Sequence, residues 1–209
     1  MKFRLKKPSD EDGMTLVELI VAMGILTILL TVSMSAVMAL TKSTVRAQAV
    51  SDATDQLRVT FQRLDKEIRY ASAINSPGFS GQDYYLEYLV EAGAGDGVET
   101  CVQWRVHAAT NELQRRTLKA GASSASEWQT TVTGLRNDLT VQSQLPFKVQ
   151  RAGTEGEKVY TKQMLKVNLT TGLGEEADSR GGQLQADLVA LNSSTSSPNT
   201  VCLNGGLTR

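Results

Sequence analysis

From Met14 to Leu40 the chain is apolar almost without interruption, and Glu18 is the only charged side chain in that stretch. Crossing the hydrocarbon core of a bilayer takes roughly 20 apolar residues in a helix, so this run predicts a membrane-capable helix over 14–41. Beyond Lys42 the pattern changes character. Val50, Ala53, Leu57, Phe61, Leu64, Ile68 and Ala71 recur at steps of three and four, while Arg58, Gln62, Asp65 and Arg69 fall on the opposite side. That spacing predicts the amphipathic half of the same helix over 42–75, with one face to bury. Asn75-Ser76-Pro77-Gly78 stops it, because Pro cannot continue a helix and pushes the residue before it into extended backbone. The prediction is one helix from Met14 to about Ala73, ~90 Å long at a rise of 1.5 Å per residue.

Over 76–209 the period shortens to two. Tyr84 to Val90 is a short aromatic-rich run, and the stretch Gly93 to Gly97 after it reads as a turn and exposed loop. Thr100 to Ala108 alternates, with Val102, Trp104 and Val106 on one face and Cys101, Gln103, Arg105 and His107 on the other. Asn111 turns the chain into Leu113–Leu118, giving a hairpin. Further strands are predicted at Trp128–Val132, Leu139–Gln142, Phe147–Gln150, Met164–Leu169 and Gln183–Leu191. The polar stretch from Asn192 to Asn199 reads as a flexible tail element. The fold class expected is α+β, a long N-terminal helix whose second half packs on an antiparallel sheet.

Composition narrows the function classes. Formal net charge is zero across 22 basic and 22 acidic residues, so there is no electrostatic footprint for nucleic acid or an anionic surface. The single histidine, His107, stands on a strand face without a nucleophile and acid in motif spacing, so no catalytic set and no enzymatic activity are expected. The two cysteines and the histidine lack any zinc-ligand spacing, so no metal site and no cofactor are expected. Lys2, Arg4, Lys6 and Lys7 precede the apolar run, and basic flanks mark the cytoplasmic side, so the N-terminus is expected in the cytoplasm and residues 76–209 outside. In an oxidising compartment Cys101 and Cys202 allow one intramolecular pairing; two free thiols are the other reading.

Glu18 demands an explanation. A carboxylate near the middle of a hydrocarbon-embedded helix costs on the order of 2.5 to 3.5 kcal/mol on insertion scales, so its retention points to a function and a partner. A cut between Gly13 and Met14 would create an α-amino group one helical turn before Glu18 and opposite in sign. Gly13-Met14-Thr15-Leu16-Val17-Glu18, after a short basic segment and ahead of the apolar run, resembles the type IV prepilin signature. In that family a short leader ends in Gly, a membrane peptidase cuts after it and methylates the new amine, and the fifth mature residue is Glu. Met14 stands where the family most often has Phe. An uncleaved signal anchor would explain neither Gly13 nor Glu18, and a secretory signal places its apolar stretch before the cut.

The resemblance implies residues 1–13 as a cleaved leader, Met14 as the N-methylated terminus, Glu18 as an assembly residue, and a pilin-like lollipop fold. Gln56 to Ala71 also resembles the helix end of larger minor pilins and of the J-type minor pseudopilin of type II secretion. The partners implied are the prepilin peptidase, other pilin or pseudopilin subunits, an assembly platform and membrane lipid. DNA or a secreted substrate is conceivable but unsupported by any residue pattern. The function implied is a minor subunit of a pilus or pseudopilus serving adhesion and motility, protein secretion or DNA uptake. The alternative from another class is a singly anchored extracytoplasmic binding domain that never polymerises.

Overall fold

The computed structural model describes residues 15–92, 97–172 and 180–202. Among the described residues one α-helix, α1, spans Leu16–Arg69 and is followed by eleven strands, which makes the chain α+β. Two compact units divide it, Met1–Arg46 and Ala47–Arg209.

In the first unit every described residue from Thr15 through Leu40 is exposed, including Leu16, Ile20, Leu29 and Val37. The helix is long and apolar enough over this stretch to cross a membrane. Its hydroxyls do not break that character, because they are satisfied inside the helix. Thr27 Oγ1 donates to the Gly24 carbonyl at 2.8 Å, Thr31 to Ile28 at 2.8 Å, Ser35 to Thr31 at 2.8 Å and Thr41 to Val37 at 2.9 Å. Such back-bonding is what lets a hydroxyl sit where no water can reach it.

In the second unit the helical stripe is buried as its spacing predicts. Ala53, Leu57, Leu64 and Ile68 lie in the core, with Thr60 beside them and Phe61 partly buried. They pack on a sheet of six antiparallel strands. These are β1 (Ala71–Ile74), β2 (Gly78–Ser80), β3 (Asp83–Val90), β4 (Thr100–His107), β5 (Glu112–Lys119) and β6 (Gln129–Val132). The order is β1-β3-β4-β5-β6, with β2 also on β3. A second sheet runs β11-β10-β7, from Arg180–Ala190, Gln163–Gly172 and Phe147–Gln150. Its alternate residues Leu165, Val167 and Leu169 join Trp104, Tyr88 and Phe147 in one core. Helix and strand approach closely at Gly182, where a Cβ would stand 3.0 Å from Leu57 Cδ1. The hairpin β8 (Gly153–Glu155) and β9 (Lys158–Tyr160) forms a small sheet of its own.

Three expectations are corrected. The helix expected to reach Ala73, within a 42–75 segment, stops at Arg69, and 71–74 become β1. Its last carbonyls are taken by distant donors: the Leu191 amide donates to the Arg69 oxygen at 3.0 Å and Asn192 Nδ2 to the Tyr70 oxygen at 3.4 Å. Ala71 and Ile74 then pair with Val90 and Tyr88.

Leu139–Gln142 is not a strand but a turn leading into one 3-10 turn at Gln142–Gln144. Asp138 makes it: Oδ1 accepts from the Thr140 amide at 2.8 Å and its hydroxyl at 2.6 Å, and these bonds hold the carboxyl below its usual range. This is the Asx-turn chemistry of the Asn137-Asp138 pair.

The segment 192–199, expected to be flexible, is a strap pinned to the body. Ser193 is fully buried; its Oγ accepts from the Gln163 amide and donates to the Ala190 carbonyl, both at 2.7 Å. Ser197 Oγ donates to Ser72 O at 2.7 Å, and Asn75 brackets the Val201 backbone with both ends of its amide.

Candidate membrane and assembly segment

The segment that carries the sequence signature lies at the start of α1. Gly13 and Met14, the expected cleavage pair, lie outside the described residues, as do residues 93–96 of the expected loop. Glu18 is described and exposed, in the first turn of the helix. Its amide donates to Thr15 Oγ1 at 3.2 Å, so Thr15 caps the helix. Thr15-Leu16-Val17-Glu18 thereby has the order of a capping box, a feature the sequence reading passed over although the S/T-x-x-E spacing was visible. A carboxylate in the first turn also meets the positive end of the helix dipole, worth ~0.3 to 1 kcal/mol at an exposed site. That is several-fold less than the cost of placing the charge in hydrocarbon, so capping alone does not account for the residue.

The other expected pair stands together. Cys101 on β4 and Cys202 at the end of the strap are joined by a disulfide, with Cα atoms 5.6 Å apart at a sequence separation of 101. The strap, pinned at Ser193, Ser197 and Val201, delivers Cys202 to the sheet face opposite the helix.

That opposite face is polar yet largely covered. Glu87 and Gln103 are fully buried, with Gln103 Nε2 donating to Glu87 Oε1 at 2.9 Å and Arg116 Nε donating to Gln103 Oε1 at 2.7 Å. Arg105 and Arg116 each stack on the Trp128 ring, 4.2 and 4.4 Å from its centroid. His107 is half-buried at the edge of this layer, its Nδ1 3.0 Å from Asp83, whose other oxygen accepts from the Ala108 amide at 2.9 Å. These bonds hold the imidazole against the Asp83 carboxylate. Among the described residues no cluster of three or more His, Cys, Asp or Glu could hold a metal ion.

On the helix side a second polar chain was also missed by sequence reading. Trp104 Nε1 donates to Tyr88 Oη at 2.8 Å, Tyr88 donates to Glu67 Oε2 at 2.5 Å, and Arg115 donates to Glu67 Oε1 at 2.7 Å. Burial, then the Glu67 charge, push the Tyr88 hydroxyl well above its ordinary pKa, so it stays a donor. Glu67 stands one position before the buried Ile68, where helical spacing alone reads as surface. Beside this chain opens a cavity of about 550 Å³ between α1 and strands β3 to β5.

Residues 9–34 match the family described as the prokaryotic N-terminal methylation motif. Over those residues the chain is type IV prepilin-like. The match brackets the Gly13–Met14 bond, Thr15 and Glu18, and extends into the exposed apolar helix. No curated protein matches the chain. No solved structure matches it either. A prepilin-type motif implies processing by a prepilin peptidase and assembly with other pilins in general, and it fits membrane anchoring by the apolar helix. It points to a structural subunit.

Proposed function

We propose that this prepilin-like chain is a minor subunit of a pilus or pseudopilus, cut between Gly13 and Met14, methylated on Met14, and held in the cytoplasmic membrane until assembly. The N-terminus lies in the cytoplasm and the disulfide-closed β domain outside, consistent with the basic residues before the apolar run. The observation that carries this reading is the methylation motif over residues 9–34, contiguous with a helix whose described residues up to Leu40 are all exposed. An apolar surface of that extent needs lipid or other helices around it. Its work is assembly, in a system serving adhesion and motility, secretion or DNA uptake.

Glu18 is the register device. Inside a bundle of apolar helices its charge needs a cationic partner, and the Met14 amine of its own or a neighbouring subunit supplies one. Two variants separate this from helix capping. Glu18→Gln keeps a side chain able to complete a capping box but removes the charge, whereas Glu18→Ala removes both. In sheared-filament fractions both variants are expected to be cleaved, membrane-inserted and strongly depleted. Normal incorporation of Glu18→Gln would reduce Glu18 to a capping residue, and normal incorporation of both would favour the singly anchored alternative.

A further inference from the structure

We infer that the tip of the β8–β9 hairpin of one copy seats in the cleft between α1 and the larger sheet of a second copy, a head-to-tail contact that builds on the assembling-subunit reading. The cleft is that cavity of about 550 Å³, within the usual range of ~300 to 1,000 Å³ for a binding pocket. Its helix wall carries Arg63 and Lys66, and its sheet wall carries Val90, Val98 and Val102. The two carboxylates that line it are already engaged. Glu67 is held by Arg115 at 2.7 Å, and Glu91 accepts from Asn192 at 3.3 Å. Arg63 and Lys66 have no ion pair among the described residues. Glu67 is neutralised by its ion pair and Glu91 keeps its charge, so Arg63 and Lys66 leave the cleft with a surplus of positive charge over an apolar floor.

The hairpin offers the complement. Residues 154–159 are all exposed; Glu155 and Glu157 flank Gly156 at the turn, opposed by Lys158 alone, and Val159 is 70% exposed. Glu155 accepts a bond from Gln150, which leaves its charge intact, and Glu157 has no partner among the described residues. An exposed valine beside two carboxylates matches a valine-lined cleft with two unpaired cations. One copy does not satisfy itself: Arg151, at the hairpin base, is tied to the Ile74 carbonyl and to Ser76 Oγ, whereas the cleft lies by Val90, which pairs with Ala71 at the other end of β1. A contact between two different patches is heterologous, and one that does not close into a ring propagates as an open array.

The test uses the full chain in membranes, with a photo-crosslinking amino acid at Val159. The expected product is a dimer-sized adduct whose peptide map joins residue 159 to the cleft. Glu155→Lys with Glu157→Lys, or Arg63→Glu with Lys66→Glu, is expected to lower the adduct about tenfold, the factor that corresponds to ~1.4 kcal/mol of lost coupling. Combining all four substitutions restores it, because the charges are exchanged rather than removed, and that rescue distinguishes recognition from misfolding. Adducts that map elsewhere, an adduct within one chain, or charge-exchanged variants no weaker than wild type would overturn the contact. Cleavage after Gly13 is read on the same samples by intact mass, so a correctly matured chain without this adduct refutes the contact and leaves the subunit reading standing.

Discussion

Replacing Tyr88 by Phe removes a single oxygen from the centre of the helix–sheet contact. That oxygen accepts from Trp104 Nε1 and donates to Glu67 Oε2. Trp104 is fully buried, so its N–H would lose its acceptor with no water to replace it, at ~1 to 3 kcal/mol. Glu67 would lose one of its charge-assisted bonds but keep Arg115, which limits the second cost. The total expected is about 2 to 4 kcal/mol, a large share of the ~5 to 15 kcal/mol that holds a typical domain together. Urea unfolding of the detergent-solubilised chain, followed by tryptophan fluorescence, would show a midpoint lower by roughly 1 M or more at slopes of about 1 to 3 kcal/mol/M. Tyr70→Phe, at an exposed site, serves as control and should stay within about 0.5 kcal/mol. The pH dependence gives a second reading. Because the folded pKa of Tyr88 is raised, its contribution is fully present below the unfolded value near ~10 and declines as pH rises from there toward the folded pKa. Wild type should thus lose stability in alkali faster than Tyr88→Phe. A midpoint unchanged by Tyr88→Phe, or parallel alkaline profiles, would refute the chain of bonds as the tie between helix and sheet.

Two further outcomes follow from buried groups. Thr60 is buried with no hydrogen-bond partner for its hydroxyl, so the isosteric Thr60→Val should raise stability by about 1 kcal/mol in the same urea assay; a loss would mean the hydroxyl is satisfied. Replacing Cys101 and Cys202 together by Ser opens a loop of 101 residues, and the chain-entropy model sets the loss at up to ~4.7 kcal/mol, with free thiols at both positions of the exported wild type as the contrary result in non-reducing peptide mapping.

The helical stripe and the β4–β5 hairpin were readable because periodicity reports burial directly. Val102, Trp104 and Val106 are buried as their alternation implies, and Leu57, Leu64 and Ile68 as their three-four spacing implies. The end of the helix was not readable. Ala71 and Ile68 continue the helical spacing, and what stops the helix is a pair of donors at Leu191 and Asn192, more than 100 residues away. The Ser-rich strap looked flexible because its composition is that of a linker, yet Ser193 and Ser197 find buried partners that no local pattern announces. Gln103, placed by alternation on the face opposite Trp104, and Glu87 on the neighbouring strand are both buried, satisfied by Arg116 and Asn75 in a way no local pattern announces. The prepilin-type motif was legible for a different reason: a lone charge in an apolar run is informative without any tertiary context. The T-x-x-E spacing of Thr15 and Glu18 carries a capping signal as well as a charge, and the two coincide in the same residue.

The central claim is maturation at the Gly13–Met14 bond. Intact mass of the protein extracted from membranes of a cell with an active prepilin peptidase tests it most directly. The account predicts a dominant species that starts at Met14 and carries one added methyl group on its α-amine, with a Gly13 substitution to a bulky residue returning the precursor. A dominant full-length chain starting at Met1, or a mature chain cut after the apolar run, would contradict it.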